Sequence, residues 1–540
     1  MNQTTNASSA NGVNKSFILA ITLVATLGGL LFGYDTAVIS GTVKFLQAFF
    51  IDPLSNNADK ALSVIFQYRV TVTVVLVIVG YAIGAILVKL YGRKRGLIFT
   101  AILAAIAAVI LIILFSKPLV INEGTANSIK GFTISSALVG CIIGGSMGGF
   151  ISRMIGRKKG LLLAAALFTI SAVGSAIPEY MNIYGVDTIV SFIIYRIIGG
   201  IGVGLASMLS PMYIAEIAPA DVRGKLVSWN QFAIIFGMLV IYFVNYFIAR
   251  GHSDEWLTST GWRWMFASET IPAGLFFILL FFVPETPRYL VMTDKSDTAM
   301  NVLTRLNGKT LAEKILKEIK GTLTEKSAPW LSFGGLVIII GILLSVFQQF
   351  VGINVVLYYA PEIFRTLGAQ TDAALLQTII VGIINLTFTV VAILTVDKLG
   401  RKPLQIIGAI GMTVSMIGLG MVFFLQSKGL GALVFMLIYV ASFAVSWGPV
   451  TWVLLSEIFP NAIRGAMSIA VAAQWIANLI ISWTFPMMND NTWLTKIFHN
   501  GFAYWIYGLM AILAAWFMWK FVPETKGKTL EEMEKLWKKK

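Results

Sequence analysis

Fourteen long apolar segments, separated mostly by short polar loops, constrain this chain more than any other feature. They are read at 17–40, 64–89, 97–115, 131–153, 160–178, 187–215, 224–249, 264–283, 331–366, 374–396, 402–425, 430–456, 466–486 and 500–521. Most approach or exceed the roughly 20 residues that cross a bilayer as a helix. Hydrocarbon offers no hydrogen bonds, so such segments must satisfy their own backbones. Over 540 residues the chain is 57% hydrophobic and 12% charged, too little polar surface for a soluble protein. The expectation is an all-α polytopic membrane protein.

An even number of spans puts both termini on one side. Arg93-Lys94-Arg95, Arg157-Lys158-Lys159, Arg223 with Lys225, Lys398 with Arg401 and Lys402, and Lys538-Lys539-Lys540 all fall there. The opposite loops carry Asp52, Asp59, Glu123, Glu179, Asp254, Glu255, Asp372 and Asp490. Positive charge favours the cytoplasmic side, so both termini are expected in the cytoplasm, with the chain in the cell (inner) membrane. The net charge of +15 then answers to the anionic inner leaflet rather than to nucleic acid. Cys141 is the only cysteine, which rules out an intrachain disulfide and a cysteine-rich metal site. His252 and His499 fall in outer loops, away from any buried proton relay. No cleavable signal is read, because the first apolar segment is too long and lacks a clear cleavage site.

Polar side chains inside the spans mark the candidate chemistry. Gln348, Gln349 and Asn354 follow one another across Gly352. On a continuous helix their amides would splay around the axis. A break at Gly352 lets them converge on one cavity. Each amide both donates and accepts, as each sugar hydroxyl does, so the cluster suits a neutral polyhydroxyl ligand. Asp35 lies in the first span after Gly28, Gly29 and Gly33. A charged carboxylate is costly there, so it can take a proton. Trp262 and Trp483 suit an interfacial belt. Asn307-Gly308-Lys309-Thr310 lacks the first glycine and preceding strand of a phosphate loop, and Gly199, Gly200, Gly202 and Gly204, with Gly140, Gly144, Gly145 and Gly149, fit close helix packing. Neither motif supports an enzyme, and no cofactor or metal is implied.

The chain repeats itself. Glu216-Ile217-Ala218-Pro219 leads to Arg223-Gly224, and Glu457-Ile458-Phe459-Pro460 leads to Arg464-Gly465. Gly156-Arg157-Lys158 matches Gly400-Arg401-Lys402, and Pro284-Glu285-Thr286 matches Pro523-Glu524-Thr525. Such repeats imply a duplicated bundle with its substrate site at the midplane between halves. Between them, 285–330 is polar. Leu311, Ile315, Leu316 and Ile319 form an apolar stripe, marking an amphipathic cytoplasmic linker. Residues 530–537 resemble a second amphipathic segment.

These motifs, together with Pro287-Arg288, Lys526-Gly527, Leu31-Phe32-Gly33-Tyr34-Asp35-Thr36-Ala37, Asn230-Gln231-Phe232 and Ser446-Trp447-Gly448-Pro449, resemble the sugar porter family of the major facilitator superfamily. Bacterial D-xylose/proton symporters are the nearest in pattern. The resemblance implies a major facilitator fold of two six-helix bundles, here with a two-helix insertion after the first span. Its divisions are 1–52, tail and first span; 53–125, the inserted hairpin; 126–284, the rest of the first bundle; 285–330, the linker; 331–522, the second bundle; and 523–540, the cytoplasmic tail. Gly92-Arg93-Lys94-Arg95-Gly96 is similar to the loop at Gly156, as a partial duplication would be, and the hairpin is expected outside the core. Two local departures stand out: Arg153 occupies the place of the Asp matched by Asp397, and one residue is missing after Gly465.

By that resemblance the sugar site draws on Gln231, Gln348, Gln349, Asn354, Asn385, Trp447, Gln474 and Trp475. Arg196 is implied as the partner of Asp35, with Glu269 a second proton-coupling candidate. Arg157, Glu216, Arg223, Arg401, Glu457 and Arg464 are implied as cytoplasmic charge clusters that hold the outward-facing state. The expected function is proton-coupled import of a monosaccharide, D-xylose first, by a monomer in the lipid bilayer. A facilitative hexose uniporter is the near alternative, which Asp35 disfavours. A non-transporting sugar sensor is the distant one, and the short stretch after Lys526 disfavours it.

Overall fold

A computed structural model describes residues 14–116, 119–182, 185–219, 222–322, 330–427, 429–528, 532–533 and 537. Among these there is no β-strand, and thirteen segments are long and apolar enough to cross a membrane. The first half holds α1 (Lys15–Gly41), α2 (Ala58–Ser116), α3 (Glu123–Ile155), α4 (Arg157–Ala176), α5 (Thr188–Ile217), α6 (Arg223–Ala249) and α7 (Asp254–Leu280). The linker carries α8 (Ser296–Asn307) and α9 (Lys309–Thr322). The second half holds α10 (Leu336–Thr366), α11 (Thr371–Leu399), α12 (Arg401–Phe424), α13 (Gly431–Ile458), α14 (Met467–Asn489) and α15 (Phe502–Phe521).

α2 is a hairpin rather than one rod. Gly92 leaves the helical region at φ 78 and ψ 166, which glycine alone adopts readily. Beyond it the chain runs back along itself. The Thr100 hydroxyl lies 3.5 Å from the Gly84 carbonyl, and a Cβ on Gly96 would overlap Val88. The two arms correspond to the spans read at 64–89 and 97–115, the first beginning earlier, at Ala58. The hairpin rests on α3 and α5. Tyr68 shares a 2.9 Å hydroxyl bond with Ser128, and the Gln67 side-chain Oε1 accepts the Asp187 backbone N–H at 2.8 Å. Phe66, Val70, Val77, Tyr81 and Ile112 point outward from it.

Glycine sets the spacing of the central helices. A Cβ on Gly140 would overlap the Ile197 carbonyl, and one on Gly200 the Ala137 carbonyl, so α3 and α5 touch backbone to backbone. Gly144 and Gly204 do the same one turn further along. Gly33 and Gly237 bring α1 against α6 in the same way. Gly145 and Gly149 play no such part. A Cβ on Gly145 would only approach the Trp475 ring at 3.6 Å, and one on Gly149 only Met208 at 3.4 Å. The two halves meet along α3 with α14 and along α6 with α11.

Two expectations need correction. Trp262 is not in an interfacial belt. It is fully buried, packed against Phe49, Phe50 and Phe192, because the short helical segment after α1, residues 43–56, folds over it. Arg263 stacks on its ring at 4.4 Å. Trp483 is half-buried and spends its N–H on the Ser128 carbonyl at 3.1 Å. In α9 the buried stripe passes through Ala312 rather than Leu311, which is exposed. A shift of one residue turns a side chain by about 100°. Of the second amphipathic segment, Met533 and Trp537 are buried, with the Trp537 indole donating to the Ile458 carbonyl at 3.0 Å; the rest is outside the described residues, apart from exposed Glu532.

Backbone contact at Gly200 gives a direct test. Gly200→Ala forces a methyl into the Ala137 carbonyl, and overpacking of this kind costs about 1–3 kcal/mol. The purified variant should melt several degrees below wild type, whereas Gly149→Ala should melt with it. Equal melting of both variants and wild type would remove close packing as the reason for Gly200.

Candidate functional site

The N-terminal half buries one ion pair at its centre. Asp35, on α1, and Arg196, on α5, are 0% and 1% exposed. Arg196 Nη1 donates to Asp35 Oδ1 at 2.7 Å, and Nη2 donates to the Asp35 backbone carbonyl at 2.9 Å. The guanidinium also lies over the Phe266 ring at 5.3 Å. The pairing implied from the sequence is therefore present. Breaking such a buried pair by removing one partner costs about 3–5 kcal/mol. Glu269, on α7, is fully buried and within electrostatic range of both groups. Neither of its carboxyl oxygens meets a donor group among the described residues, nor does Asp35 Oδ2; the two carboxyls are each other's hydrogen-bonding neighbours.

The C-terminal half contributes two interrupted helices. α10 breaks at Gly352, which sits left-handed at φ 93 and ψ 15 between Leu336–Phe350 and Ile353–Thr366. The sequence located this break. α13 breaks at Ser446, φ −129 and ψ −90, and resumes at Trp447. Broken helices leave carbonyls without intrahelical donors. Gln348 Nε2 reaches across to the first turn of the resumed helix, donating to the carbonyl of Trp447 at 2.8 Å, which the Thr451 hydroxyl also meets, and to that of Gly448 at 3.2 Å. Tyr439 donates to the Val351 carbonyl at 2.7 Å. The amides then form a relay. Asn354 Nδ2 donates to Gln349 Oε1 at 2.5 Å, and Gln349 Nε2 to Gln348 Oε1 at 3.4 Å. Every amide nitrogen carries two hydrogens, so Gln349 and Asn354 each keep a donor in reserve, whereas Gln348 spends both of its own on the two carbonyls.

The remaining expected sugar residues fall into three situations. Gln474 Oε1 and Trp475 Nε1 are buried without a partner among the described residues. Trp475 also crosses between halves, its ring 5.6 Å from that of Phe32 on α1. Gln231, half-buried, and Asn385, buried, lie on α6 and α11, which pack together across the halves. Trp447 is different. It is fully buried, and its N–H is taken by the Gln405 carbonyl at 2.9 Å, so it offers a ligand no indole donor. Asn230, which the sequence marked only as part of a motif, also has an unpartnered, buried Oδ1.

The basic end carries two matching clusters. Arg157 binds Glu216 through Nη2 at 2.7 Å and Nε at 3.2 Å. Arg401 binds Glu457 at 2.7 and 3.1 Å and Asp397 at 2.9 Å. Each pair stays within its own half. Arg223 turns instead to the Ala218 carbonyl at 3.4 Å, and the side chain of Arg464 is outside those described. Arg153, at the place matching Asp397, is exposed.

The Pro-Glu-Thr repeat has a role that sequence alone did not disclose. Glu285 accepts the backbone N–H groups of Arg157 and Lys158 at 3.1 and 3.2 Å, capping α4. Glu524 accepts those of Arg401 and Lys402 at 3.1 and 3.0 Å, capping α12. A carboxylate at a helix N-terminus meets free donors and the positive end of the dipole. Gly156 and Gly400, both at φ 93, make the turn before each capped helix. The repetition of both motifs was the available signal. Their 128- and 123-residue separations hid the pairing.

The two caps differ electrostatically. Burial raises the Glu285 carboxyl above its ordinary value, against the backbone N–H groups that lower it. Burial raises Glu524 too, but backbone N–H groups of Lys526, Lys402, Arg401 and Thr525 outweigh it and leave this carboxyl below the ordinary value. A lowered group stabilises the fold above its unfolded value, and that contribution disappears as pH falls through the folded one. A raised group stabilises below its unfolded value and loses that contribution as pH rises through the folded one. Glu524→Gln should therefore lower the melting temperature more than Glu285→Gln at pH 7.5. The gap should narrow near pH 4. A gap that is unchanged or reversed between these pH values would contradict the assignment.

The amide relay also predicts its own loss. Gln348→Ala removes the donor to two carbonyls and the acceptor for Gln349. An unsatisfied buried partner costs about 1–3 kcal/mol, roughly a fivefold to hundredfold weakening of sugar binding. Calorimetry with Gln348→Ala, Gln231→Ala and Asn354→Ala checks this, and wild-type affinity in all three would remove the relay from the site.

Comparison with known proteins agrees with this architecture. The pattern of the family described as "Sugar (and other) transporter" matches residues 21–122 and 114–537. The chain is 56% identical over 538 residues to the D-xylose-proton symporter of Escherichia coli K12, covering 97% of this chain and 96% of that protein. It is 40% identical over 451 residues to the glucose facilitated diffusion protein of Zymomonas mobilis, covering 82% and 95%. Among solved structures, the xylose transporter of E. coli in a partially occluded inward-open conformation superposes with a TM-score of 0.76 at 53% identity, covering 95% of this chain and 100% of that one. The broken helices, the duplicated halves and these matches place the chain in the sugar transporter family, on the major facilitator fold.

Proposed function

We propose that this protein imports a monosaccharide, D-xylose first, together with a proton by alternating access. It does so as a multi-pass monomer of the inner membrane with both termini in the cytoplasm. The observation that carries the coupling is the buried Asp35–Arg196 pair, with the Glu269 carboxyl beside it. Two carboxyls and one guanidinium share an apolar interior. Charge balance permits one carboxylate there, because an unpaired buried charge is costly. A proton taken by Asp35 removes the charge that Arg196 faces. The guanidinium keeps its bond to the Asp35 backbone carbonyl and its place over Phe266. The pair thus releases without leaving Arg196 bare. Loss of the proton restores it.

The sugar half works by exchange. Amides that bond to one another when empty can bond to hydroxyls when filled, and many neutral bonds of this kind allow release. Phe32 against Trp475 links α1, which carries Asp35, to α14, which carries Gln474. The inserted hairpin is a peripheral element with no part in the sugar site, as its outward apolar faces and its contacts with α3 and α5 suggest. The Zymomonas relative, a facilitated diffusion protein, keeps the uniporter reading in view.

Asp35→Asn separates the two readings. It mimics the protonated carboxyl but exchanges no proton. Sugar should still bind, and counterflow in vesicles should persist. Uphill accumulation driven by a pH gradient should vanish. Accumulation at the wild-type level would move the proton site elsewhere, with Glu269 next. A wild-type protein that equilibrates sugar without responding to a pH gradient would instead be a uniporter.

A further inference from the structure

Side-chain hydrogen bonds that cross between the halves are unevenly placed. Among the described residues they gather away from the basic end. Lys130, on α3, binds Asp490 after α14 at 2.8 Å. Asn127 donates to the Asp490 carbonyl at 3.3 Å. Glu123 accepts the backbone N–H and the hydroxyl of Thr492. On the other flank, Asp254 accepts from Thr371 at 3.1 Å. At the basic end, Arg157–Glu216 and Arg401–Glu457 each remain within one half. The molecule is thus fastened at its outer end.

Lys130 is the unusual member. Its side chain is 6% exposed, and its partner belongs to the other half. Lys44–Asp254 is by contrast 39% and 52% exposed and lies within one half, so it contributes little. Asn489 holds Asp490 by donating to its other carboxyl oxygen at 2.8 Å. Parting α3 from α14 at this end would break the pair and expose Lys130 to water. The charge pair therefore exists in only one of two states, which is the condition for biasing an equilibrium.

We infer that Lys130 and Asp490 are positioning residues of the transport cycle, forming an outer latch that sets the share of outer-closed molecules. Either partner alone should weaken the closed state. Removing Asp490's charge leaves a buried lysine without its anion, and removing Lys130's leaves a carboxylate with only an amide neighbour. A partly buried pair of this kind should shift the open-to-closed ratio by about fivefold to thirtyfold.

The test uses the full-length protein with spin labels at exposed Tyr180 and Leu430, on outer loops of opposite halves; buried Cys141 stays in place. Lys130→Ala and Asp490→Asn should each enlarge the long-distance population. The combined variant should add no further shift, and the exchange Lys130→Asp with Asp490→Lys should restore the wild-type distribution. Asp490 is the more exposed partner, so Asp490→Asn keeps the test available if Lys130→Ala fails to fold. The inference rests on alternating access, and the readout separates the two. If wild-type distances respond to D-xylose but the single variants match wild type, the latch alone is wrong. If the two single shifts add in the combined variant, the pairing is wrong. If wild-type distances never change, alternating access falls and the latch with it.

Discussion

Hydrocarbon supplies no hydrogen bonds, and the rest of this structure follows from that constraint. Most spans meet it by running as unbroken helices. α10 and α13 do not, and their breaks are brought together and hydrogen-bonded to each other. Gln348 beside the first break donates to carbonyls after the second. Tyr439 before the second break donates to Val351 at the first. Polar groups thereby collect at the middle of an apolar bundle at reduced cost, because those beside the breaks are partnered. A site for a neutral polyhydroxyl ligand is the natural product of that arrangement.

Much of this was legible in the sequence, for reasons that differ by residue. The spans announce themselves through length and hydropathy. The break at Gly352 was readable because two glutamines and an asparagine flank a glycine. Asp35 was readable because a lone carboxylate in a span demands a partner, although naming Arg196 needed the family pattern. What stayed hidden depends on contacts remote in sequence. Lys130 and Asp490 are 360 residues apart, and each looks like an ordinary loop-proximal charge. The capping roles of Glu285 and Glu524 were masked in the same way, although both motifs were visible. Trp262 misled because a tryptophan near a span's end fits a belt. Only the fold of the short helical segment after α1 puts Phe49 and Phe50 over it. The bond of the Trp447 indole to the Gln405 carbonyl stayed hidden because that carbonyl sits on a different helix.

Duplication explains the likeness of the halves, and divergence explains their division of labour. Both keep a capped helix after a left-handed glycine, and both keep an Arg–Glu pair at the basic end. These are mechanical parts, needed by any bundle that moves as a body. The interiors have separated. Ionisable groups concentrate in the first half, at Asp35, Arg196 and Glu269, and the amide relay belongs to the second. Such a division keeps a titrating charge from sitting among the hydroxyls it would otherwise bind too strongly.

Coupling then requires the two interiors to sense one another across the interface. The helices that carry them are in contact. Phe32 on α1 packs on Trp475 of α14, three residues from Asp35 and one from Gln474. Tyr358, one turn beyond Asn354 on α10, lies within electrostatic range of both Asp35 and Arg196. A change in the Asp35–Arg196 pair alters α1 against α5, and α1 touches the wall of the sugar site. Neither interior is wired to the other by a continuous chain of hydrogen bonds among the described residues. Rigid helices joined by close glycine contacts serve instead, since a small rotation at one end of such a helix must reappear at the other.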